Sequence, residues 1–495
     1  MEALTRLLPN RNCLFINGQW HASNQSEAVV NPANEELLAE APVGTASDVE
    51  AALGAAHEAF HRGPWPRMPV EARQAKLTAF IDAVERRAED IIALIIAEAG
   101  STVQLTRWLQ YGIAVKHARR TLKLMTRPTE ESLPVALTPQ ADGTTMLGVD
   151  VVSREPVGVV SAITPYNFPF FLNLAKIIPS MAVGCTVVLK PSPYTPFEAL
   201  ILGEIAQEIG LPAGVLNIVT GGIEVGSALT SDKRVDLVTF TGSDLVGAQI
   251  QAQAAPTLKR VLLELGGKSA MIVRPDAMLE QVVPMGVMGF TIHCGQGCAL
   301  TTRHLVHNSI KARYVEMVKQ ASSAMKLGDP ADANVDMGPL IREAARARTE
   351  RYVDIALSEG ARLITGGRRP ASLKNGYFYE PTLFDDVHNS HRIAQEEVFG
   401  PVGVVIGYDT DEEAIRIANE SEFGLGGAIY SRDVGKAYEM ARQLRVGGVA
   451  INGGSGTISS DAPFGGIKRS GYGREYGIEG LNEFTYTKSI AFHGG

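Results

Sequence analysis

The sequence has little of several features that would restrict its function. It has four cysteines in 495 residues, too few for a disulfide framework in a chain of this size, which favours a reducing, cytoplasmic setting. The longest aliphatic run, residues 91–97, is too short to span a bilayer, and residues 1–6 lack the charged-then-apolar layout of a secretory signal. The net charge of −8 gives a nucleic-acid surface no electrostatic support. We therefore expect neither a membrane nor a nucleic-acid partner.

The chain is long enough for two or three domains with a large core. Between residues 157 and 267, β-rich runs alternate with helical stretches, which predicts a parallel, doubly wound sheet with its ligand crevice at the carboxyl ends of the strands. A second alternating region, about 268–460, predicts a second α/β domain that carries Cys298. The strands predicted in the first region are 157–164, 186–190, 215–220, 235–241 and 260–265, and its helices include 197–209 and 245–255.

Local signals predict several further elements. Residues 47–50, Ser-Asp-Val-Glu, have the pattern of a capping box that starts a helix. A long amphipathic pattern over residues 70–99 ends at Gly100, a typical C-cap. Alternating runs within 133–152 flank an Ala-Asp-Gly turn and predict a hairpin, which is either an edge ribbon or an arm that reaches another subunit. The alternating tail, 483–492, could pair with this hairpin.

The segment 294–300, Cys-Gly-Gln-Gly-Cys-Ala-Leu, is the strongest candidate for chemistry. It places Cys298 between small residues, and Glu264 lies 34 positions earlier. A thiol that attacks a carbonyl and a carboxylate that activates water would together make a two-step covalent enzyme. The alternative is a buried, inert cysteine, since most free cysteines are of that kind.

Residues at the predicted carboxyl ends of strands could bind a nucleotide or an oxyanion. Gly242-Ser243 follows an apolar strand and opens a helix, where free N–H groups bind phosphate, although Asp244 breaks the dinucleotide fingerprint. Lys190 could reach a ribose or phosphate, or be a solvated lysine. Asn167, flanked by the aromatic and proline residues of 165–169, could donate to an oxyanion, or satisfy a turn.

A structural zinc site is the main rival interpretation. Cys294, Cys298, His304 and His307 are zinc-type ligands within a short stretch. However, the odd separation of the two histidines on a predicted strand places their rings on opposite faces. We therefore expect no metal, and interpret Cys294 as a structural thiol or as one that forms a reversible oxidised pair with Cys298.

Taken together, the motifs resemble the NAD(P)-dependent aldehyde dehydrogenase superfamily, in the family's order and over nearly the whole chain. The segments that carry the resemblance are 165–169 (PYNFP), 190–192 (KPS), 240–243 (FTGS), 263–268 (LELGGK), 295–298 (GQGC), 396–402 (EEVFGPV) and 463–471 (PFGGIKRSG).

The resemblance implies a division of catalytic labour. Cys298 would attack the aldehyde to give a thiohemiacetal, and Asn167 with the backbone N–H of Cys298 would stabilise its oxyanion. After hydride transfer, Glu264 would activate the water that hydrolyses the thioester. A glutamate at this position favours release of a free acid, since branches that pass the acyl group to coenzyme A usually lack it.

The resemblance also implies the cofactor contacts. Lys190 and Glu397 would hold its riboses, Phe399 would pack near the nicotinamide, and Ser243 would lie by the pyrophosphate. The full set of expected cofactor residues is Thr164, Pro165, Lys190, Gly242, Ser243, Leu265, Glu397 and Phe399. The missing fingerprint is then no objection, because this superfamily binds its dinucleotide in a variant Rossmann manner.

The choice of cofactor depends on a departure from the common pattern. Three positions after Lys190, many NAD-specific members have a glutamate that holds the adenosine ribose, but this chain has Pro193. A proline can neither accept those hydrogen bonds nor repel a 2′-phosphate. NAD is favoured because Lys190 alone is no dedicated phosphate site, and NADP is the alternative.

The expected substrate tunnel has small or apolar residues. Ala175 stands where relatives often have a bulky aromatic residue, or an arginine in a succinic-semialdehyde branch, so recognition of a carboxylate is unsupported and an ammonium cage loses one wall. We expect a wide tunnel for medium-chain aliphatic, aromatic or terpenoid aldehydes. The tunnel residues expected from the resemblance are Phe168, Ala175, Gly297, Ala299, Ile458 and Phe464.

The resemblance further implies the fold and assembly. We expect two doubly wound α/β domains and a small β oligomerisation arm in a dimer or tetramer. The NAD(P)-binding domain would take residues 1–132 and 153–264, the catalytic domain 265–465, and the arm 133–152 with 482–495. The alternatives are a semialdehyde dehydrogenase of a catabolic pathway and an inactive relative with a binding or structural role. The inactive relative is disfavoured because Cys298 and Glu264 are both present.

Overall fold

The computed structural model describes residues 7–454 and 459–494. Its strands form two large sheets and a separate small arm. In chain order they are β1 (Cys13–Ile16), β2 (Gln19–Ala22), β3 (Ser26–Val30), β4 (Leu37–Pro42), β5 (Glu130–Ser132), β6 (Ala136–Pro139), β7 (Thr145–Pro156), β8 (Val159–Ile163), β9 (Thr186–Lys190), β10 (Leu216–Ile218), β11 (Leu237–Thr241), β12 (Arg260–Glu264), β13 (Ala270–Val273), β14 (Arg303–His307), β15 (Arg362–Thr365), β16 (Thr382–Asp385), β17 (Val402–Tyr408), β18 (Phe423–Gly424), β19 (Gly426–Tyr430), β20 (Gly448–Ile451), β21 (Ile467–Lys468), β22 (Gly471–Tyr472) and β23 (Thr485–Gly494).

Helices cover both large sheets, and no helix in the described ranges is long and apolar enough to cross a membrane. A turn at Val103–Leu105 continues into a π-helix, Thr106–Ile113. The α-helices are α1 (Ala46–His61), α2 (Val70–Arg86), α3 (Ala88–Ala99), α4 (Ala114–Leu124), α5 (Pro169–Val183), α6 (Phe197–Glu208), α7 (Ile223–Ser231), α8 (Asp244–Ala254), α9 (Leu279–Thr291), α10 (Asn308–Ser323), α11 (Glu343–Ser358), α12 (Arg392–Gln395), α13 (Asp411–Asn419), α14 (Val434–Ala441) and α15 (Gly477–Asn482).

The first sheet has eight strands in the order β2-β1-β10-β9-β8-β11-β12-β22. Its centre, from β10 to β12, is parallel, and both edges are antiparallel. Each predicted strand of this region is present, shortened by at most a few residues. The strand order reverses between β8 and β11, and such a switch point places a ligand crevice at the carboxyl ends of the strands.

The second sheet has seven strands in the order β15-β16-β17-β14-β13-β19-β20 and is parallel except for β15. Both sheets are buried on two faces, which is why their strands are continuously apolar rather than alternating. Along β13, for example, Ile272 packs into one core and Val273 into the other. The chain passes from the first sheet to the second through the short connection 265–269.

The arm confirms the predicted hairpin and the predicted pairing of the tail. β6 and β7 pair antiparallel around the turn at Gly143, and β23 lies antiparallel along β7 over its whole length. The arm exposes large apolar side chains, with Leu137 at 67% and Phe492 at 52%. An exposed apolar surface on a strand ribbon is typical of an interaction surface.

Two predictions about helices were wrong in detail. The capping box at the start of α1 is formed by Thr45 and Asp48, because the Thr45 side chain accepts from the Asp48 N–H and Asp48 accepts from the Thr45 N–H. Ser47 is already inside the helix. The single amphipathic pattern 70–99 is two helices, α2 and α3, which are separated at Arg87, and Gly100 is the predicted left-handed C-cap at φ 66°.

Candidate active site

Cys298 lies in the loop between α9 and β14. The loop begins with a tight turn in which His293 and Cys294 have positive φ angles of 49° and 56°. Such strain in non-glycine residues persists only where the surrounding structure fixes it, and it concentrates at functional sites. Cys298 is half-buried, whereas Cys294 is fully buried. Gly267 lies against the Cys298 carbonyl, where a Cβ would come within 2.7 Å of the oxygen.

Asn167 is held against this loop, as expected for an oxyanion donor. It follows β8, and its Nδ2 donates to the Gln296 carbonyl oxygen at 2.8 Å. The Gln296 side chain is fully buried, and its Oε1 accepts from the Ile341 N–H at 3.0 Å. The amide and the cysteine loop are therefore fixed relative to each other before any substrate arrives.

Glu264 ends β12 on the other side of the site. It is 2% exposed, and within the described part of the chain neither carboxyl oxygen has a hydrogen-bond partner of good geometry. The antiparallel bridge between Glu264 and Gly471 of β22 holds it in place. Gly471 is required there, since its φ is 99° and a Cβ would lie 2.0 Å from the Leu263 carbonyl oxygen. The carboxyl group is thus positioned but free to accept a proton.

The sequence motifs did not indicate a buried ion pair that lies near Glu264. Lys176 of α5 is fully buried, and its Nζ contacts Glu475 Oε1 at 2.7 Å and Thr239 Oγ1 at 3.0 Å. Glu475 in turn acts electrostatically on Glu264. A signal was available for the lysine, because it is the one charged residue in the largely apolar sequence of α5. No local pattern indicates Glu475.

Burial and these charges raise the pKa values of the reactive groups. Burial, with the Glu475 carboxylate, raises the pKa of Glu264 well above its usual value, and Lys176 and the Gly466 amide oppose this shift. Burial, with the charges of Glu264, Glu397 and Glu475, also raises the pKa of the Cys298 thiol. Both shifts favour the neutral forms, and perturbed groups of this kind cluster at functional sites.

The direction of these shifts predicts the pH dependence of turnover. Glu264 must lose its proton before it can accept one from water, so kcat should rise as pH increases through the raised pKa of this carboxyl group. Glu475→Gln removes a negative charge that raises this pKa, so the midpoint should move to lower pH. The pH profile of kcat for both proteins measures this. A flat profile, or a midpoint that moves to higher pH in the variant, would contradict the assignment.

Several expected cofactor residues lie together at the carboxyl ends of the central strands. Lys190, at the end of β9, is 6% exposed rather than solvated, and its Nζ donates to the carbonyl oxygens of Pro191 and Gly221. Burial lowers its pKa to about 8. Thr164 follows β8, with its N–H bonded to the Lys190 carbonyl oxygen, and half-buried Pro165 comes next.

The turn after β11 forms the start of a helix that faces this edge. The Gly242 N–H donates to the Glu264 carbonyl oxygen, and the Ser243 side chain caps α8 by accepting from the Val246 N–H. Leu265 packs against the first turns of the same helix. The free N–H groups of a helix N-terminus suit a pyrophosphate.

The neighbouring surface fits an adenine dinucleotide. α7 and α8 pack together, and their first turns carry exposed apolar side chains, Ile223 at 88% and Leu245 at 67%. Exposed apolar residues beside a helix N-terminus offer a surface for an aromatic base as well as N–H groups for phosphate.

Glu397 and Phe399 reach the site from the second sheet. Glu397 Oε1 accepts from the Gly267 N–H at 2.9 Å, and Gly267 lies in the connection 265–269 that follows Glu264. Burial raises the pKa of Glu397 to about 7. Phe399 has a positive φ of 59°, and its ring meets the Tyr166 ring edge-on at 6.1 Å between centroids.

The expected tunnel residues line one face of α5 and its surroundings. Phe168, Phe171, Ala175 and Pro179 are half-buried at helical spacing, so they form one stripe. The Ala175 end of the stripe borders an enclosed cavity of about 10 Å³, room for about one water molecule. The cavity that borders Ala175 is therefore small, and the wide tunnel that the resemblance implies stays a prediction.

Three of the remaining residues expected in the tunnel lie in the part of the chain that the structure describes. Gly297 and Ala299 are half-buried on either side of Cys298. Phe464 is half-buried and pairs through its backbone with Glu475. Ile458 lies outside the described residues.

The cysteine and histidine residues of the zinc interpretation have different surroundings in the structure. Across residues 7–454 and 459–494, no group of three or more His, Cys, Asp or Glu side chains could hold a metal ion. His304 Nδ1 contacts the buried Tyr314 hydroxyl, whereas His307 caps α10. Cys294 belongs to the core of the second sheet, and burial raises the pKa of its thiol. A neutral, buried thiol suits a structural role better than oxidation.

Comparison with known proteins identifies the class to which this fold and site belong. The model of the aldehyde dehydrogenase family matches residues 20–490. The chain belongs to this family, whose members are oxidoreductases that act on aldehydes.

Individual relatives are similar along their whole length. A geranial dehydrogenase from Castellaniella defragrans is 39% identical over 97% of this chain and 98% of its own length. The chloroplastic betaine aldehyde dehydrogenase of Beta vulgaris is 36% identical over 98% and 96%. A crystal structure of betaine aldehyde dehydrogenase from Staphylococcus aureus in complex with NAD+ has a TM-score of 0.94 and 37% identity, covering 99% of this chain and 95% of that chain.

Proposed function

We propose that this chain oxidises an aldehyde to a carboxylic acid with NAD+, through a covalent thioester on Cys298 and hydrolysis assisted by Glu264. The proposal is supported by two contacts of the Cys298 loop: Asn167 Nδ2 donates to the Gln296 carbonyl oxygen, and Gly267, three residues after the buried Glu264, lies against the Cys298 carbonyl oxygen. The thiol, the amide and the carboxyl group come from the α9–β14 loop, the segment after β8 and the end of β12, which are far apart in sequence. Such a set has the parts that covalent catalysis at a carbonyl requires.

The first step is attack by Cys298 on the aldehyde carbon. The S–C bond forms as the thiol loses its proton, and Glu264 is the nearby group able to take it. The carbonyl oxygen gains negative charge, which Asn167 Nδ2 and the Cys298 N–H are positioned to stabilise. Since burial disfavours the free thiolate, proton loss and attack are best coupled.

The second step releases the acid. The bound dinucleotide accepts the hydride, which leaves a thioester on Cys298. Glu264 first passes the thiol proton to solvent and then takes a proton from water as the water oxygen attacks the acyl carbon. The C–S bond breaks, the Cys298 sulfur leaves as a thiolate that takes up a proton again, and the carboxylic acid leaves. Lys176 and Glu475 tune this base by their charges, because they set how readily Glu264 ionises.

For the cofactor we propose NAD, held by the residues at the edge of the first sheet. Domain roles follow the two sheets, with 1–132 and 153–264 binding the dinucleotide and 265–465 carrying Cys298. The Lys190 ammonium is already engaged by two carbonyl oxygens, so it offers little to a 2′-phosphate. Pro193 adds no charge of either sign. NADP is the alternative that the assays below compare.

Replacing Asn167 tests the oxyanion role. Asn167→Ala should lower kcat about 10²- to 10³-fold, the usual effect of losing one oxyanion donor. Asn167→Asp, of nearly the same size, should lose at least as much, because a carboxylate cannot donate and repels the oxyanion. Steady-state kinetics at saturating cofactor provide the measurement. If both variants kept kcat within about twofold of the wild type, another group must stabilise the oxyanion.

For the substrate we propose a neutral aldehyde with an apolar tail, of the medium-chain aliphatic, aromatic or terpenoid kind. Its support is that no Asp, Glu, Lys or Arg lies among the described residues that line the cavity beside Ala175. Similarity to a geranial dehydrogenase is consistent with this class.

A panel of acetaldehyde, octanal, benzaldehyde, geranial and betaine aldehyde, each with NAD+ and NADP+, tests the proposed substrate class. Octanal or benzaldehyde should have a higher kcat/KM than acetaldehyde, and NAD+ should exceed NADP+. The reverse order of aldehydes would reject the substrate class.

A second candidate class is aldehydes that carry an ammonium group. Its support is a cluster of rings, since Tyr476 meets His117 at 4.3 Å, Phe171 at 5.8 Å and Phe464 at 6.2 Å between centroids. Aromatic faces can bind an ammonium group without a carboxylate. These rings could thus supply the aromatic wall for an ammonium group that Ala175 does not provide. A kcat/KM for betaine aldehyde above that for octanal would favour this class.

For assembly and location we propose a homodimer or homotetramer in the cytoplasm. The exposed apolar side chains of the arm, residues 133–152 with 482–495, support a contact with a second copy. The four cysteines are free, which is consistent with a reducing compartment. Light scattering of the full chain would give the mass of the assembly.

A further inference from the structure

Tyr476 stands between the catalytic groups and the cavity beside Ala175. On one side, the preceding residue, Glu475, pairs through its backbone with Phe464, and Gly465, the residue after Phe464, lies against Glu264, where a Cβ would come within 3.0 Å of Oε1. Burial, with the charges of Glu475, Glu264 and Cys298, raises the pKa of the Tyr476 hydroxyl well above its usual value. On the other side, its ring lines the cavity with Ala175. A tail that extends from an aldehyde at Cys298 towards this cavity therefore meets the Tyr476 ring.

The backbone at Tyr476 is unusual for a side chain of this size. Its φ is 62° and its ψ is 165°, in a region that favours glycine. The preceding residue, Glu475, is fixed by its ion pair with Lys176 and by two backbone hydrogen bonds with Phe464. The strain at Tyr476 is thus held by its neighbours, and a costly conformation kept beside a reactive site points to a role for the side chain.

The ring is also fixed by its contacts. It meets His117 of α4 and Phe171 of α5 nearly edge-on, at interplanar angles of 66° and 60°. Because these two neighbours lie on different helices, the Tyr476 ring cannot rotate away from the cavity without displacing both of them. The cavity that this ring lines is also lined by small side chains, which include Ala114, Ala118 and Ala175.

We propose that Tyr476 is a specificity-determining residue, whose ring closes the cavity to the aldehyde tail and so limits the length of tail that binds. This inference rests on the proposed aldehyde oxidation. Aldehydes whose tails end before Tyr476 bind fully, and longer tails gain nothing from the alanine-lined space behind it. Removing the ring adds the volume of the ring itself to that small space and opens both to the site, so further methylene groups can be buried.

The test compares a long and a short aldehyde as a ratio. The ratio of kcat/KM for dodecanal to that for butanal should rise at least about tenfold in Tyr476→Ala, the effect of burying about two more methylene groups. Tyr476→Phe keeps the ring and should keep the wild-type ratio. Ala118→Leu, combined with Tyr476→Ala, refills the space from behind and should return the ratio towards the wild-type value.

The outcomes separate the inference from the proposed function. If the wild type oxidises neither aldehyde, the proposed function itself is wrong. If the wild type is active and Tyr476→Ala changes both aldehydes by the same factor, the residue has only a structural role and the inference is overturned. Should Tyr476→Ala fail to fold by circular dichroism, Tyr476→Leu decides in its place, with a rise in the same ratio supporting the inference and an unchanged ratio overturning it.

Discussion

Cys298→Ala is expected to abolish aldehyde oxidation, with a loss in kcat of at least about 10³-fold, because no other group can form the covalent bond to the substrate. The methyl side chain fits the same space, so the fold and cofactor binding should persist. NADH production with octanal provides the measurement. The predicted signal is absence of both steady-state turnover and a first-turnover burst.

Cys294→Ala is the matched control for this experiment. Cys294 is four residues away in the same loop, but its side chain is fully buried in the core of the second sheet. Removing its sulfur should leave aldehyde oxidation near the wild-type level. Undiminished turnover in Cys298→Ala, or a loss in Cys294→Ala as large as that in Cys298→Ala, would reject the assignment of the nucleophile.

Glu264→Gln is expected to separate the two chemical steps. The amide has nearly the shape of the carboxyl group but cannot take a proton from water, so thioester hydrolysis should slow by about 10²- to 10⁴-fold. Hydride transfer does not require a base at this position once the thiohemiacetal has formed. Stopped-flow absorbance should then record a burst of about one NADH per active site, followed by very slow turnover.

The burst distinguishes this role from the alternatives. If Glu264 served mainly to deprotonate Cys298, the variant would lose the burst as well as the steady state. If it had no catalytic role, the steady state would be unchanged. Because Glu264 is also proposed to take the thiol proton, the burst in the variant should have full amplitude but be slower than in the wild type. A burst at the wild-type rate would limit Glu264 to the second step.

Much of the fold could be predicted because its signals are local. The strands of the first sheet are short, buried and apolar, so β9 has the predicted bounds, and β8 and β12 differ by only a few residues. Helix starts were less certain. The Thr45–Asp48 capping box has the same type of pattern as the predicted one at Ser47, and only the side-chain geometry selects between them.

The active site likewise has residues that could be predicted from the sequence and contacts that could not. Cys298, Asn167 and Glu264 lie in distinctive motifs, and their positions at a loop and two strand ends follow from the sheet topology. The Lys176–Glu475 pair spans 299 positions, and such a contact depends on how β22 returns to the edge of the first sheet. The small size of the cavity beside Ala175 could not be predicted from the sequence either. The small residue at position 175 carries no information about the Tyr476 ring, which lines the same cavity.

The most direct test of the two-step account is the mass of the Glu264→Gln protein after reaction with octanal and NAD+. Mass spectrometry of the intact chain should record an added octanoyl group, and peptide mapping should locate it on Cys298 as a hydroxylamine-sensitive thioester. The wild type, treated in the same way, should carry little or none at the end of the reaction. A burst of NADH with no acyl group on Cys298, or with the group on another residue, would contradict the account.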